Sequence, residues 1–507
     1  MLVIILLVCV SSVKSTYLQP TPCISRNYGN GGTVCVCNCS YCDSIPRPTR
    51  THPSQFLVYT SNLEGLRFQQ SRGRFRPLES CESHVDVDSS SKFQTIFGWG
   101  GAFTDATGIN IHALPKDTQE VLLRQYFSES GIEYSLCRVP MGGTDFSVRA
   151  YSYDDGDPDP LLLNFKLAPE DHVFKIPYIK RAMKLTGHKL RLFGSAWTAP
   201  KWMKTNYMYT GLGFIRKSMY QPWANYFVKF LDEYRKFGIN FWGLTTGNEP
   251  LDAWVPGEKL EVVGWAPREL GTWIRNNLGP TIRNSNYSDT KIMILDDQRI
   301  YYPWYVVIAL ENPVARKYVD GFAVHWYTDK YDPPEALTKT QEIFPEKFIL
   351  ATEASNIPGQ NESAVQLGSW ERGENYSADI IEDVLNWVTG WVDWNMALNP
   401  QGGPNYIQNF VDSPIIINGT SNEFYKQPMF YHLGHFSKFV PSGSVRVGTE
   451  VRRSRVEVAA FGRPDGGTAV VLLNRNEEGV ILNVKDSSRG VAQVKISPRS
   501  ISTLLYW

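Results

Sequence analysis

The stretch Ile239-Asn240-Phe241-Trp242-Gly243-Leu244-Thr245-Thr246-Gly247-Asn248-Glu249-Pro250 decides the fold. Its first half is apolar and predicts a buried strand, and its second half ends on an amide beside a carboxylate. Packing gives no reason for an acidic side chain at the end of such a strand. The pattern therefore predicts a parallel strand whose carboxyl end opens onto a functional site.

A second strand of the same kind, Lys347-Phe348-Ile349-Leu350-Ala351-Thr352-Glu353, also ends on a glutamate. If both strands belong to one barrel, Glu249 and Glu353 face each other across its mouth. One carboxyl group can then protonate a glycosidic oxygen while the other attacks the anomeric carbon or activates water. A loop salt bridge is the alternative for either glutamate alone, but the pair at two strand ends favours catalysis. Arg138, at the end of an earlier strand, is a candidate to keep the nucleophile ionised, or else forms a structural ion pair.

Between about residues 95 and 440, short apolar runs alternate with amphipathic ones. The predicted strands cover 95–99, 134–139, 190–196, 240–246, 291–296, 320–326, 347–353 and 390–396. The predicted helices cover 117–129, 177–186, 222–237, 268–284, 302–310, 333–343, 377–388 and 428–439. Repeated strand–helix units favour an α/β fold, the (β/α)8 TIM barrel, over a doubly wound open sheet. The sequence also lacks the dinucleotide-binding fingerprint of such sheets, because 98–102 has the wrong glycine spacing.

The two ends of the chain have a different sequence pattern from the barrel segment. After about residue 443, short strand-like runs separated by turns predict a β-sandwich, and Asp465-Gly466-Gly467 is a hairpin-type turn. The segment 55–90 alternates in the same way. The economical interpretation is one sandwich built from both ends of the chain, attached to the barrel.

The N-terminus and the cysteines indicate the secretory pathway. We expect residues 1–15 to be a signal peptide, because the apolar run is too short to span a bilayer, and we expect no transmembrane segment elsewhere. The crowded cysteines that follow predict disulfides. A zinc site is the alternative, but the two C-x2-C pairs of a zinc ribbon and a nearby histidine are absent. These cysteines are Cys23, Cys35, Cys37, Cys39 and Cys42. The Asn-x-Ser/Thr sequons predict glycosylation at Asn38, Asn286, Asn361, Asn375 and Asn418.

Charge and motifs narrow the class of function further. Among the 507 residues, Lys+Arg and Asp+Glu number 51 each, so the neutral chain gives no argument for a nucleic-acid partner. His432 and His435 lack a third ligand and favour helix packing over metal binding. We expect no metal and no organic cofactor.

Longer blocks carry a resemblance. Asn-Glu-Pro at 248–250 resembles the acid/base signature of the large clan of retaining (β/α)8 glycosidases. Nearly the whole chain after the signal peptide resembles the lysosomal glucosylceramidase (acid β-glucosidase, glucocerebrosidase) family. The blocks that carry this second resemblance are 97–106, 197–206, 295–299, 324–327, 352–354, 393–395 and 425–439.

The resemblance implies a retaining exo-β-glucosidase that hydrolyses glucosylceramide, with Glu249 as acid/base and Glu353 as nucleophile. It places His325 and Tyr327 beside the nucleophile. The glucose-contacting residues that it implies are Asp145, Trp197, Asn248, Tyr327, Trp394 and Asn409. The disulfides that it implies are Cys23–Cys35 and Cys37–Cys42, although the extra Cys39 leaves other pairings open.

The expected division of the chain follows. A signal peptide (1–15) precedes a small disulfide-bearing β module (16–46, with about 397–426). The sandwich comprises 47–94 and 443–507, and the barrel comprises 95–396 and 427–442.

Partners and location are implied by the resemblance. Glucosylceramide lies in membranes, so we expect a peripherally bound protein of the lysosome lumen, helped by a saposin-like activator and anionic lipid. The segments 207–215 and 251–256 could form an apolar rim around the pocket, or could simply pack on one another. Two rival functions remain: a secreted β-glycosidase of the xylanase or glucanase type, and a non-catalytic glycan-binding relative. The second would usually have lost a catalytic carboxylate, and here both remain.

Overall fold

The computed structural model describes residues 21–45, 47–78 and 84–507. The expected signal peptide, residues 1–15, lies outside the described residues. Within those ranges, no helix combines the length and the apolar character needed to cross a membrane.

The strands fall into three sheets. In chain order they are β1 (Ser25–Asn27), β2 (Thr33–Cys37), β3 (Gln55–Asn62), β4 (Gln69–Arg74), β5 (Val85–Thr95), β6 (Gly98–Ala102), β7 (Leu136–Pro140), β8 (Arg191–Ser195), β9 (Gly243–Thr245), β10 (Lys291–Gln298), β11 (Gly321–His325), β12 (Phe348–Glu353), β13 (Val388–Asn395), β14 (Ala397–Leu398), β15 (Ile415–Asn418), β16 (Glu423–Lys426), β17 (Val445–Val451), β18 (Glu457–Gly462), β19 (Thr468–Asn474), β20 (Val480–Asp486), β21 (Gly490–Ile496) and β22 (Ser500–Tyr506).

The α-helices lie mostly around the barrel. They are α1 (Asp105–His112), α2 (Lys116–Phe127), α3 (Ile176–Leu185), α4 (Tyr220–Arg235), α5 (Pro267–Trp273), α6 (Gly279–Arg283), α7 (Trp304–Ala309), α8 (Pro313–Tyr318), α9 (Glu335–Ile343), α10 (Trp370–Leu385) and α11 (Pro428–Ser437). The apolar residues of α4 recur every three or four positions and are buried, which explains why this segment is an amphipathic helix on the barrel wall.

The strands β6 to β13 close into a parallel eight-stranded barrel, which confirms the predicted (β/α)8 fold. Most of these strands are buried along their whole length, so they are nearly continuous apolar runs without the alternation of a half-exposed sheet. Their carboxyl ends carry Arg138, His325, Glu353 and Trp394 at or near the last strand residue. The barrel therefore brings polar side chains from distant parts of the sequence to one mouth.

Several predicted boundaries differ from the structure. The first barrel strand begins at Gly98, whereas the sequence predicted 95–99. Glycines hide the apolar pattern of this strand. Close packing explains one of them, because a Cβ at Gly100 would lie 1.6 Å from the Leu136 carbonyl oxygen. Helices α1 and α8 were not predicted; α1 is buried on most sides and so lacks a clear apolar stripe. The predicted helix 268–284 is interrupted by a π-helical turn, Ile274–Leu278, just before Pro280, whose missing N–H favours such an irregularity.

The small sheet joins the N-terminal segment to the barrel. Its strand order is β1-β2-β16-β15-β14, so it combines the N-terminus with residues 397–426. The disulfides Cys23–Cys35 and Cys37–Cys42 are present, as the resemblance implied, and Cys39 is an exposed free thiol.

The remaining nine strands form the second module, in the order β21-β20-β5-β17-β18-β19-β22-β3-β4. An isolated bridge between Arg76 and Val491 joins the two ends of this sheet, which curls around its own apolar core. Helix α11 packs this module onto the barrel. His435 of α11 contacts Thr503 and Ser61 of the module at 2.8 and 3.0 Å, so it has the packing role expected from the sequence.

Candidate active site

The turn after β9 places Asn248 and Glu249 at the barrel mouth. Glu249 adopts a left-handed backbone conformation (φ 40°), which is unfavourable for a residue with a side chain. Two hydrogen bonds hold the turn, from Asn248 N to the Ala196 carbonyl at 2.8 Å and from Glu249 N to the Asp296 carbonyl at 2.9 Å. The neighbouring strands thus fix the direction of the Glu249 side chain.

Glu249 and Glu353 face each other across a pocket of about 130 Å³. Each contributes a carboxylate oxygen to a group, with a His325 nitrogen, in which the atoms lie within 4.8 Å of one another. The pocket brings together both glutamates and every predicted glucose-contacting residue: Asp145, Trp197, Asn248, Tyr327, Trp394 and Asn409. Phe146, Leu260, Ile357 and Val411 complete the lining and were not predicted.

Glu353 is held by two donors, one to each oxygen. Arg138 Nη1 donates to Glu353 Oε2, and the Tyr327 hydroxyl donates to Oε1 at 2.8 Å. Arg138 is fully buried and also donates to Asn248 at 2.8 Å and to Asp296 at 2.6 Å. The arginine therefore orients the carboxylate of Glu353 and the amide of Asn248 together.

Glu249 has a different environment. Gln298 Nε2 donates to Glu249 Oε1 at 2.7 Å, and His325 Nδ1 lies 2.9 Å from the same oxygen. Burial raises the pKa of Glu249, although His325 opposes the shift. A carboxyl group with a raised pKa retains a proton that it can deliver to a substrate.

His325 lies between Glu249 and Asp296. Its second nitrogen, Nε2, is 3.1 Å from Asp296 Oδ1. Burial opposes the imidazolium, but the carboxylates of Glu353, Asp296 and Glu249 raise the pKa of His325 to about 10. Both ring nitrogens then carry protons, so this histidine has no lone pair for a metal ion, and the absence of a metal stays a prediction.

The opposite wall contains Asp145 and two stacked indoles. Asn405 and Asn409 donate to Asp145 Oδ2 at 3.0 and 3.2 Å. Burial, with the nearby charge of Glu353, raises the pKa of Asp145 to about 7. The rings of Trp197 and Trp394 stack with centroids 4.8 Å apart. A hydroxyl-rich ring would meet hydrogen-bonding groups and flat apolar faces here.

Sequence reasoning missed three polar residues of this site: Asp296, Gln298 and Asn405. Asp296 accepts from Ser195, Thr245 and Thr352 besides Arg138, and Arg138 holds its pKa below the usual range despite burial. Asp296 and Gln298 lie at the end of β10, so the strand-end rule that found the glutamates would have found them too. Asn405 lies in a loop, where no periodic signal exists.

Residues 96–440 match the glycosyl hydrolase family 30 TIM-barrel domain, and residues 443–504 match the glycosyl hydrolase family 30 beta sandwich domain. The chain belongs to glycosyl hydrolase family 30. The resemblance found in the sequence is confirmed, and this family 30 protein is a glycoside hydrolase.

The similarity to curated relatives covers almost the whole of this family 30 chain. Lysosomal acid glucosylceramidase of Mus musculus is 45% identical over 492 residues, 96% of this chain and 95% of the relative. Putative glucosylceramidase 4 of Caenorhabditis elegans is 42% identical over 506 residues, 97% of this chain and 96% of the relative. Among solved structures, SrfJ from Salmonella typhimurium has a TM-score of 0.83 and 26% identity, covering 89% of this chain and 99% of that chain. The chain therefore falls among the glucosylceramidases of the family.

Proposed function

We propose that this family 30 hydrolase cleaves glucosylceramide to glucose and ceramide as a retaining exo-β-glucosidase. The observation that carries the proposal is the pair Glu249 and Glu353, with carboxylate oxygens within 4.8 Å across one pocket. Retaining glycosidases keep their carboxyl groups ~5–5.5 Å apart, whereas inverting enzymes leave ~6.5–9.5 Å for a water molecule. The small volume of the pocket, about 130 Å³, favours a terminal sugar over a long polysaccharide chain.

In the first step, Glu353 attacks the anomeric carbon and Glu249 gives its proton to the departing ceramide oxygen. The bond from carbon to ceramide oxygen breaks as the bond to Glu353 forms. Arg138 and Tyr327 hold the nucleophile in position, and the buried environment of Glu249 keeps its proton available. Asn248, fixed by Arg138, is placed to bond the sugar 2-hydroxyl, where hydrogen bonds strengthen in the transition state.

In the second step, Glu249 is a carboxylate and accepts a proton from water. The resulting hydroxide attacks the anomeric carbon and releases glucose, which restores the free carboxylate of Glu353. His325 lies 2.9 Å from Glu249, so its positive charge stabilises the carboxylate that the first step leaves behind. His325 thus limits the rise in the pKa of Glu249 in the first step and stabilises the Glu249 carboxylate in the second.

The lipid substrate is supported by the names of the two curated relatives and by an exposed apolar rim. Tyr207, Met208, Leu212, Trp254 and Val255 are each more than 40% exposed. The two loops that carry them follow β8 and β9, and Phe214 contacts Trp254 at a ring distance of 5.0 Å. Apolar loops at a barrel mouth suit a membrane surface.

Location and helpers belong to the same proposal. We propose peripheral binding to membranes in the lysosome lumen, with a saposin-like activator and anionic lipid as partners. The name of the murine relative supports the location.

The roles of the two glutamates are tested with paired substrates. Glu353→Gln should abolish turnover of every β-glucoside, because no nucleophile remains. Glu249→Gln should lose roughly 10²–10⁴-fold with glucosylceramide but far less with an aryl glucoside, whose leaving group needs no proton. Steady-state kinetics on both substrates check this, and equal losses in the two variants on both substrates would refute the assignment.

The substrate class is tested by hydrolysis of glucosylceramide in detergent at acid pH, side by side with soluble β-1,6-glucan and xylan. Release of glucose from the lipid, with little product from the polysaccharides, is the expected result. Faster cleavage of a polysaccharide would mean that this polysaccharide, and not glucosylceramide, is the substrate. Failure on every substrate, aryl β-glucosides included, would indicate a glycan-binding protein without catalysis.

A further inference from the structure

A second carboxyl group contacts the acid/base Glu249. The chain after Glu249 forms a short 3-10 helix, Pro250–Trp254, and Asp252 N donates to the Glu249 carbonyl oxygen at 3.0 Å. Side chains three residues apart lie on the same side of such a helix, so the turn brings the Asp252 carboxyl group beside that of Glu249. A hydrogen bond joins the two carboxyl groups. The two-step hydrolysis described above gives Asp252 no role.

The neighbouring strand fixes this turn. Asp297, in β10, accepts from Leu251 N at 3.1 Å and from Gln298 N at 2.8 Å. It therefore ties the residue before Asp252 to the strand that carries Gln298, which itself donates to Glu249. On its other side, the half-buried Asp252 is held by Val255 N, which donates to its carbonyl oxygen at 2.9 Å. The contact with Glu249 is thus part of a fixed backbone turn.

A hydrogen bond between two carboxyl groups needs one proton, and the surroundings place that proton on Asp252. Glu249 Oε1 accepts from Gln298 and lies 2.9 Å from His325 Nδ1, and both contacts favour a charged Glu249. Burial, together with the charge and the hydrogen bond of Glu249, raises the pKa of Asp252 to about 9. When one of the two groups ionises, Glu249 therefore loses its proton first and Asp252 keeps its own.

The titratable groups that face Asp252 come from three neighbouring strand ends. They are Glu249 and Glu258 on its own loop, Asp297 and Tyr301 at the end of β10 and in the turn after it, and His325 at the end of β11. Burial raises the pKa of Asp297 to about 8 and that of Tyr301 to about 12, so both are neutral at acid pH. His325 favours an ionised Asp252, but its ring nitrogen lies against Glu249 at 2.9 Å. At acid pH these neighbours therefore leave Asp252 protonated.

We infer that Asp252 is a positioning residue for the acid/base, a neutral carboxylic acid that donates a hydrogen bond to Glu249. The inference rests on the proposed function, because it takes Glu249 as the acid of the first step. As Glu249 gives its proton to the ceramide oxygen it becomes negative, and a hydrogen bond to a charged acceptor is roughly twice as strong as one to a neutral acceptor. Asp252 therefore stabilises the state after proton transfer more than the state before it. It keeps its own proton throughout both steps.

Asp252→Leu tests the inference, because it removes the donor. The pKa of Glu249 should then rise, so the alkaline limb of kcat/KM for glucosylceramide in detergent should move to higher pH by about one unit. At pH values below that limb, kcat/KM should fall roughly three- to tenfold, since a weaker acid protonates the ceramide oxygen less readily. For an aryl β-glucoside, whose leaving group needs no proton, kcat/KM should stay near that of the unaltered protein. A merely structural defect of the pocket would lower both.

Matched variants separate the donor from the space that it occupies. Asp252→Asn keeps a neutral donor, so its pH profile and rate should match those of the unaltered protein. Asp252→Ala removes the donor without adding bulk and replaces Asp252→Leu if leucine prevents folding. Glu258→Gln is the control, because it removes a carboxyl group from the same loop and can still accept from Leu260 N, as Glu258 does at 2.7 Å. Its alkaline limb should stay in place.

An alkaline limb that stays in place in Asp252→Leu or Asp252→Ala would overturn the inference. So would a limb that moves as far in Asp252→Asn as in Asp252→Leu, or one that moves to lower pH in Asp252→Asn, which would mean that Asp252 is ionised in the unaltered protein. Glu249→Gln, measured on both substrates, distinguishes this failure from failure of the proposed function. If Glu249 is not the acid, that variant loses equally on both substrates; if only the role of Asp252 is wrong, Glu249→Gln still loses far more on glucosylceramide.

Discussion

At the scale of single residues, Asp296 organises the candidate active site without lining the pocket. It lies between two cations: Arg138 at 2.6 Å and the His325 ring at 3.1 Å. Each cation in turn contacts one of the two glutamates. One buried carboxylate therefore sets the direction and charge of the groups that control both Glu353 and Glu249.

The pH profile of hydrolysis tests this arrangement. The hydrogen bond and the positive charge of His325 lower the pKa of Glu249, against the larger rise caused by burial. His325→Gln removes the charge, so the pKa of Glu249 should rise further and the alkaline limb of kcat/KM should move to higher pH. We expect a shift of roughly one pH unit, the usual size for an opposite charge at contact distance.

The measurement is kcat/KM for glucosylceramide in detergent across the pH range, because the ceramide leaving group needs the proton of Glu249. Glu249 must be protonated to act as the acid, so the alkaline limb of this profile reports its pKa in the free enzyme. His52→Gln, at an exposed histidine far from the pocket in sequence, is the control. A limb that moves to lower pH, or does not move, would contradict the proposed electrostatics.

At the scale of elements, helix α10 connects the barrel to the curled module. Trp370 and Arg499 both donate to Glu374 of this helix, and Arg499 belongs to the turn before β22. Glu374 is 4% exposed in its side chain and Arg499 is 23% exposed. The contact is thus a largely desolvated ion pair across the junction of two modules.

Arg499→Ala should destabilise the protein by about 2–3 kcal/mol, because it leaves a buried carboxylate without its cation. The same arginine also pairs with Glu477 at 2.8 Å, but Glu477 is 77% exposed. Glu477→Gln should therefore cost less than about 0.5 kcal/mol, since exposed pairs contribute little. Denaturant unfolding of both variants checks the difference, and equal losses would mean that burial of Glu374 does not decide the strength of the pair.

At the scale of the whole molecule, the catalytic pocket and the exposed apolar rim lie at the same end of the barrel. Leu212 is 59% exposed and Trp254 is 43% exposed, each in a loop that follows a barrel strand. A membrane bound at this end would present its lipid head groups to the pocket. Substrate supply would then depend on the rim, while the chemistry would not.

Leu212→Ser combined with Trp254→Ser should therefore weaken vesicle binding by about tenfold or more, given the apolar surface that each side chain contributes. Hydrolysis of glucosylceramide in anionic vesicles should fall in proportion, while aryl glucoside turnover should stay near its original rate. Ile481→Ser, at an exposed position of β20 in the other module, is the matched control. Equal loss on both substrates would mean that these residues support the structure of the pocket and not membrane binding.

The sequence by itself determined the barrel, the β-sandwich built from both chain ends and the two glutamates at strand ends. Strand and helix periods are local, and the carboxyl end of a barrel strand is a local position whose direction the fold class sets. Only the tertiary structure decided that Asp296 and Gln298 complete the site, and that Asp297 ties the turn of Asp252 to the neighbouring strand. Distances between segments remote in the chain depend on how strands register and helices pack, and no local pattern encodes them.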